Sequence, residues 1–229
     1  MAAFSRNIAA VEKYFAFIFL ITKKDSCLIT LIDLGISNIK SILRGFSTQG
    51  FKVQIASGPD DIKSSDSLVL PGVGAFPKAC QALRNSGFWE AVIEHAGRGR
   101  PLLGVCLGMQ LLFTDSEEHG LNPGLDLIDG HVVRFPPDRL VPHMGWNAVS
   151  QAGESPLFKN VPDRADFYFV HSFYASPDRE DCVTGYSDHN GRFAASVQNE
   201  NVFGTQFHPE KSQNNGLTLL RNYASLTEK

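Results

Sequence analysis

Residues 101–113, PLLGVCLGMQLLF, place two apolar segments on either side of a short glycine-flanked turn. The first five residues have the composition of a buried strand, and the last five predict the start of a buried helix. Gly104 and Gly108 lie two residues before and two residues after Cys106, which is the pattern of a nucleophile elbow with cysteine in place of serine. The alternative is a buried cysteine in a tight turn, because free cysteine is often a small core residue.

The overall composition is typical of a globular protein. Of 229 residues, 43% are hydrophobic and 20% are charged, which is enough apolar mass for a sizeable core. The formal net charge is −3 and no Lys/Arg cluster occurs, so nucleic acid is not an expected partner. The four cysteines form no CxxC pair, and no His, Cys and carboxylate cluster has metal-site spacing. We therefore expect a reducing compartment, no disulfide and no metal.

The N-terminal segment contains one apolar run, YFAFIFLIT at residues 14–22. This run is too short to span a bilayer as a helix. It also makes a poor signal peptide, because Glu12 precedes it and Lys23, Lys24 and Asp25 follow where small residues belong. We expect a cytoplasmic protein that does not enter a membrane. Residues 1–27 are interpreted as an N-terminal extension, of which residues 1–26 should be dispensable for catalysis.

A regular alternation of strands and helices begins at Leu28. Predicted strands at 28–33, 51–56 and 66–70 alternate with predicted helices at 39–46 and 77–99, the second of them broken at Gly87. Such alternation implies right-handed βαβ units and a mostly parallel central sheet flanked by helices. Residues 125–207 are instead short strand-like runs separated by turn residues, which predicts an added antiparallel region. A last helix is expected at 214–226, and residues 28–229 are interpreted as one domain.

A cysteine nucleophile needs a base and a group that orients the base. His208 follows an apolar strand-like run, and Glu210 lies two residues later, on the same side of an extended chain. Imidazole and carboxylate can therefore meet at the end of a strand. His95, His119 and His189 lie in polar helical or turn contexts and are expected to be solvated.

An oxyanion formed at the cysteine would need hydrogen-bond donors. The Leu107 N–H, directly after the cysteine, is one candidate. The PGVG turn at 71–74, at the end of a predicted strand, can supply another, although a plain tight turn is an equally simple interpretation. It fails as a phosphate loop, because Pro77 takes the place of the third glycine.

Three segments in this order, PGVGAF, GVCLGMQLLF and FGTQFHPEKS, resemble class I glutamine amidotransferases. Two more, PHMGWN at 142–147 and YFVHSFY at 168–174, are similar to the glutaminase subunits of imidazole glycerol phosphate synthases of histidine biosynthesis. The resemblance implies an α/β, flavodoxin-like sandwich and an enzyme without a cofactor. The substrate would be L-glutamine, and the ammonia would pass to a (βα)₈ cyclase subunit in a heterodimer.

The resemblance also implies roles for individual residues. Cys106 would attack the carboxamide of glutamine, His208 would move the proton, and Glu210 would orient His208. Oxyanion and substrate contacts are expected from Gly72, Val73, Leu107, Gln110, Glu118, Ser172 and Phe173. The partner interface, or the gate toward it, is expected at His143, Trp146, Asn147, Tyr168 and His171, each of which could instead serve packing.

Alternative functions start from the same residues. A paralogous amidotransferase subunit could feed ammonia to a sugar-modifying enzyme of surface polysaccharide synthesis, by the same glutaminase chemistry. A non-catalytic regulatory subunit and a cysteine peptidase or thiol hydrolase are the other two classes. The chain departs from the family pattern at Leu34, where tyrosine is usual, and at Ser37, where glycine is usual. Tyrosine is also common where Phe173 stands.

Overall fold

The computed structural model describes residues 27–35 and 38–227. The apolar run 14–22 and Ser37 lie outside the described residues, so the proposed extension and the domain boundary at residue 28 stay predictions. Leu34 is half-buried and packs against the core.

The elements are numbered here in chain order and refer to the described residues. The α-helices are α1 Ile39–Ser47, α2 Pro59–Lys63, α3 Phe76–Asn85, α4 Phe88–Gly97, α5 Leu107–Gln110 and α6 Gln213–Ala224. The strands are β1 Leu28–Leu31, β2 Lys52–Ile55, β3 Ser67–Gly72, β4 Leu102–Cys106, β5 Phe113–Ser116, β6 Asn122–Pro123, β7 Ile128–Arg134, β8 His143–Gln151, β9 Ala165–His171, β10 Phe173–Pro177, β11 Val183–Asp188, β12 Arg192–Asn199 and β13 Val202–Thr205. Short 3₁₀ turns occur at Pro156–Phe158, Glu180–Cys182, Pro209–Lys211 and Ser225–Thr227. None of the helices in this part of the chain is long and apolar enough to cross a membrane.

A nine-stranded mixed sheet, in the order β2-β1-β3-β4-β13-β12-β11-β8-β9, forms the centre of the described region. Strands β2, β1, β3 and β4 pair in parallel, as the βαβ alternation predicted. Strand β13 belongs to the region expected to be antiparallel, yet it pairs with β4 in parallel, which the alternation did not predict. From β13 to β9 every pairing is antiparallel, so much of the added region extends the same sheet. The predicted α/β class with a central helix-flanked sheet is confirmed.

Helices cover both faces of this sheet. On one face the buried side chains of α3 and α4, including Phe76, Leu83 and Val92, join the apolar residues of the strands. On the other face α1 and α6 contribute Phe46 and Tyr223 among others. Each helix buries one apolar stripe against the sheet, which is the arrangement that removes most apolar surface from water.

Several local predictions need correction. The run 109–113 does not start a long helix, because α5 ends at Gln110 and Phe113 begins strand β5 of a second, four-stranded sheet, β10-β7-β5-β6. The predicted break at Gly87 is confirmed, since this residue has a left-handed φ of 72° between α3 and α4. The short helix α2 was not predicted. His95 is not solvated, since it is 2% exposed and its Nε2 lies 3.1 Å from the Pro101 carbonyl oxygen.

The turn from β4 into α5 depends on close backbone contact. A Cβ atom on Gly108 would lie 1.7 Å from the Leu70 carbonyl oxygen, and a Cβ on Gly104 would lie 2.6 Å from the Gly108 carbonyl oxygen. Both neighbours are backbone atoms that cannot turn aside as a flexible side chain can. The two glycines therefore allow α5 to lie directly on the ends of β3 and β4.

We predict that Gly108→Ala costs about 3 kcal/mol or more of unfolding free energy, because the new methyl group overlaps a strand backbone. Chemical denaturation monitored by circular dichroism measures this loss. Gly97→Ala is the matched control, since its Cβ would meet no atom within 4 Å at an exposed helix end. Its expected change is neutral or stabilising by up to about 1 kcal/mol. Equal stability of the two variants would contradict the role assigned to Gly108.

Candidate active site

Cys106 is the last residue of β4 and the residue before α5, and its backbone is strained. Its φ is 56° and its ψ is −111°, a left-handed φ that a residue with a side chain rarely adopts. Strain of this kind costs on the order of 1–3 kcal/mol and is concentrated at functional sites. Cys106 is only 5% exposed and lines a cavity.

His208 follows β13 and forms a buried pair with Glu210. His208 Nδ1 lies 2.9 Å from Glu210 Oε1, and their side chains are 3% and 2% exposed. The His208 N–H also donates to the Tyr168 carbonyl oxygen at 2.9 Å, which fixes the backbone against β9. His208 Nε2 and Glu210 Oε2 are buried and make no hydrogen bond. The imidazole is therefore oriented through Nδ1, and Nε2 is available for proton transfer.

The electrostatics of this pair favour a protonated imidazole. Burial opposes the charge on His208, but the Cys106 sulfur, as thiolate, and the Glu210 carboxylate outweigh it, and the pKa of His208 rises to about 10. A thiolate and an imidazolium thus stabilise each other in a buried site, where their attraction is stronger than in water.

A cavity of about 290 Å³ opens above the sulfur. It is lined by Val73, Gly74, Cys106, Leu107, Gln110, Glu118, Pro142, Val170, His171, Ser172 and Phe173. Gly72 lies opposite Cys106 in the parallel pairing of β3 and β4, so the peptide that follows it borders the nucleophile. Six of the seven predicted oxyanion and substrate residues therefore line the cavity, and Gly72 adjoins it. Their roles remain predictions.

Glu118 and Gln110 already have partners inside the protein. One oxygen of Glu118, Oε2, accepts the Phe76 N–H at 2.7 Å and so binds the first turn of α3. Gln110 donates from Nε2 to the Phe173 carbonyl oxygen at 2.9 Å and to Gln206 Oε1 at 3.0 Å. With both protons of its amide nitrogen engaged, Gln110 presents its oxygen to a ligand.

Gln206 is a site residue that the sequence analysis missed. It is fully buried, and its Nε2 lies 3.7 Å from Cys106 Sγ. The available signal was the spacing, because Gln206, His208 and Glu210 are two residues apart in the segment that follows β13.

The residues expected at a partner interface fall into two groups. His143 and His171 are 5% and 6% exposed and pack among Phe135, Phe169 and Phe193. Both are therefore interior residues of this chain, and their role at the interface or its gate stays a prediction.

His189, which was expected to be solvated, is half-buried. Its ring stacks on that of His143, with 4.3 Å between the ring centroids. Asn147 is half-buried and donates to the Asp188 carbonyl oxygen at 2.6 Å. His119, by contrast, is exposed as expected.

The second group stays at the surface. Trp146 is 49% exposed and meets the half-buried Tyr168 edge to face at 6.1 Å between ring centroids. The two residues pair directly across β8 and β9, and Met144, two pairs away, is 62% exposed. These aromatic and apolar side chains lie on the strands that lead to His171 and the cavity.

Comparisons with known proteins agree with this architecture. The model of the family glutamine amidotransferase class-I matches residues 30–224. Imidazole glycerol phosphate synthase subunit HisH of Moorella thermoacetica is 46% identical over 198 residues, which cover 86% of this chain and 94% of that one. HisH of Geobacter metallireducens is also 46% identical, over 203 residues and 97% of its length. The structure of PurLQS from Thermotoga maritima shares the fold, with a TM-score of 0.71 at 17% identity over 89% of this chain and 100% of that one. The chain therefore belongs to the class I glutamine amidotransferases, and within them to the family of imidazole glycerol phosphate synthase HisH subunits.

Proposed function

We propose that this enzyme hydrolyses L-glutamine to glutamate and ammonia at Cys106 and passes the ammonia to a cyclase subunit. One observation carries the proposal, namely a strained cysteine at the base of a small cavity beside the buried His208–Glu210 pair. The cavity volume of about 290 Å³ is at the lower end of the range for ligand sites, which suits a ligand as small as one amino acid.

The first half of the reaction would form a glutamyl thioester. The Cys106 sulfur attacks the carboxamide carbon, and an S–C bond forms while the carbonyl oxygen becomes an oxyanion. The His208 imidazolium gives its Nε2 proton to the amide nitrogen as the C–N bond breaks, which releases ammonia. Glu210 holds the ring through Nδ1 and stabilises its positive charge.

The second half would return the enzyme to its starting state. His208, now neutral, takes a proton from water, and the resulting hydroxide attacks the thioester carbon. The C–S bond breaks and glutamate leaves. In both halves the oxyanion would accept hydrogen bonds from the Leu107 N–H and from the peptide between Gly72 and Val73, which borders Cys106.

Polar groups in the cavity match the α-amino end of glutamine. Gln110 offers an amide oxygen, and Glu118 offers a carboxylate that is half-buried. Both accept hydrogen bonds from an ammonium group, and neither would bind the α-carboxylate. Ser172 and Phe173 border the same space at the start of β10.

We also propose that the cyclase subunit, a (βα)₈ barrel, covers the exposed apolar residues near this cavity. Leu140 is 83% exposed, Val141 36%, Met144 62% and Trp146 49%, and all four lie in one short stretch of chain. Pro142, within the same stretch, lines the cavity itself. A partner seated here would receive ammonia directly, before water protonates it.

The 40–46% identity to HisH subunits supports a role in histidine biosynthesis, where the partner forms imidazole glycerol phosphate and aminoimidazole carboxamide ribotide. A cytoplasmic heterodimer would carry out this coupled reaction. The paralogue that serves polysaccharide synthesis would differ in its partner and share the glutaminase chemistry.

We predict that Cys106→Ala abolishes glutamate release, because no other thiol borders the cavity in the described structure. Exogenous ammonium should restore the synthase reaction of the complex that contains this variant. Cys80→Ala and Cys182→Ala are the matched controls, since both thiols are buried elsewhere, and turnover should stay near the wild-type rate. A coupled glutamate assay measures all three. Wild-type turnover in Cys106→Ala would refute the assignment of the nucleophile.

The subunit alone should be nearly inactive, with activation by the partner and its nucleotide ligand. Rotation of one peptide, Gly72–Val73, can aim its N–H toward or away from the oxyanion. Loss of one such donor typically lowers the rate by about 10²–10³. Glutamate release should therefore rise by about that factor when partner and ligand are added. Equal turnover of the subunit alone, with partner, and with partner plus ligand would contradict this mechanism.

Acid should destabilise the protein because His171 is buried without a charge. Burial lowers the pKa of His171 to about 3, below its unfolded value of about 6.5. Below pH 6.5 the unfolded chain binds a proton at this residue that the folded chain does not bind. The free energy of unfolding therefore decreases as the pH is lowered. Between pH 7 and pH 5 the free energy of unfolding, measured in urea, should decrease by about 1–2 kcal/mol less in His171→Gln than in the wild type. The exposed His119→Gln variant should follow the wild type, and identical slopes for all three proteins would refute the prediction.

A further inference from the structure

We propose that Gln206 is a further residue of the hydrolytic centre, whose side-chain amide donates a hydrogen bond to the Cys106 sulfur and stabilises it as the thiolate. The inference rests on the proposed role of Cys106 as nucleophile. Gln206 Nε2 lies 3.7 Å from Cys106 Sγ, and the Gln206 side chain is completely buried. Its contact with the reacting atom involves neither His208 nor Glu210.

The direction of the Gln206 amide is determined by its neighbours. Gln206 Oε1 accepts from Gln110 Nε2 at 3.0 Å, and a reversed Gln206 amide would place two NH₂ groups against each other. Gln110 is itself held in one orientation, because its Nε2 also donates to the Phe173 carbonyl oxygen, which can only accept. A backbone oxygen thus determines that the NH₂ group of Gln206 points at the sulfur.

The same carbonyl oxygen is anchored from its other side. His171 Nδ1 lies 2.8 Å from the Phe173 oxygen and must donate to it, so its Nε2 accepts. His143 Nδ1 then donates to His171 Nε2 at 3.0 Å, and His143 Nε2 accepts from Asn147 Nδ2 at 3.2 Å. Every bond in this chain has one allowed direction, which is the condition under which a buried polar network is rigid.

A donor at this position favours one protonation state of the cysteine. The neutral thiol can direct its own proton toward the Val170 carbonyl oxygen at 3.9 Å. An N–H from Gln206 adds little stabilisation to this neutral form. The thiolate has no proton and accepts an N–H strongly, because hydrogen bonds to ionised groups are about twice as strong as neutral ones. The amide carries no titratable proton, so Gln206 can stabilise charge without acting as a base.

The test is the pH profile of Cys106 alkylation by iodoacetamide, followed by mass spectrometry of the Cys106 peptide from the full chain without partner. Gln206→Met removes the donor at similar length, and Gln206→Glu replaces it with an acceptor. We expect the midpoint of the profile to rise by about one pH unit in Gln206→Met, a tenfold lower thiolate fraction at acidic pH, and further in Gln206→Glu. Gln198→Met is the matched control, because Gln198 also makes two side-chain hydrogen bonds, to Ser155 Oγ and the Glu200 carbonyl oxygen, but does not line the cavity.

Unchanged midpoints in folded Gln206→Met and Gln206→Glu proteins would overturn the proposal. If either variant fails to fold, the wild type answers the question by NMR, since the Gln206 side-chain amide resonances should shift with the titration of Cys106. Resonances that do not follow Cys106 would equally overturn it. Alkylation does not depend on glutamine turnover. If the variants shift the midpoint but the wild-type complex hydrolyses no glutamine, the proposed function is refuted and the role of Gln206 is not. In the active complex, Gln206→Met should lower kcat/KM about tenfold at pH values below the alkylation midpoint of the wild type.

Discussion

The close approach of backbone to backbone at Gly108 is the constraint on which the rest of the site depends. With no side chain at this residue, α5 can lie against the Leu70 carbonyl oxygen, and β4 must then turn sharply into the helix. The turn forces Cys106 to a φ of 56°. Packing of the surrounding sheet, which buries β3 and β4 completely, supplies the free energy that holds this strained residue in place.

Two separate networks converge on the sulfur from this fixed point. The His208–Glu210 pair carries charge and a mobile proton, and its partners leave one nitrogen without a hydrogen bond. The Gln110–Gln206 pair is neutral, and its hydrogen-bond directions follow from a backbone carbonyl. The site thus combines one hydrogen-bonded pair that titrates with one that does not. Both can stabilise a thiolate, while the proton moves only through the His208 imidazole.

The antiparallel half of the sheet connects this centre to the surface. Strand β9 carries Tyr168, whose carbonyl oxygen holds the His208 N–H and whose ring meets the exposed Trp146. A partner that contacts Trp146 would therefore lie one residue away from the backbone of the proposed base.

The sequence by itself determined the parallel βαβ half, the elbow around Cys106 and the His208–Glu210 pair, because each is encoded in residues that are near neighbours in the chain. It did not indicate that Phe113 leaves the helix for a second sheet, or that His143 and His171 are interior residues. Nor did it show that Gln206 lies against the cysteine. Those features arise from contacts between residues 15 to 100 positions apart. Only the tertiary packing of strands brings such residues together, and no local pattern records which of them will meet.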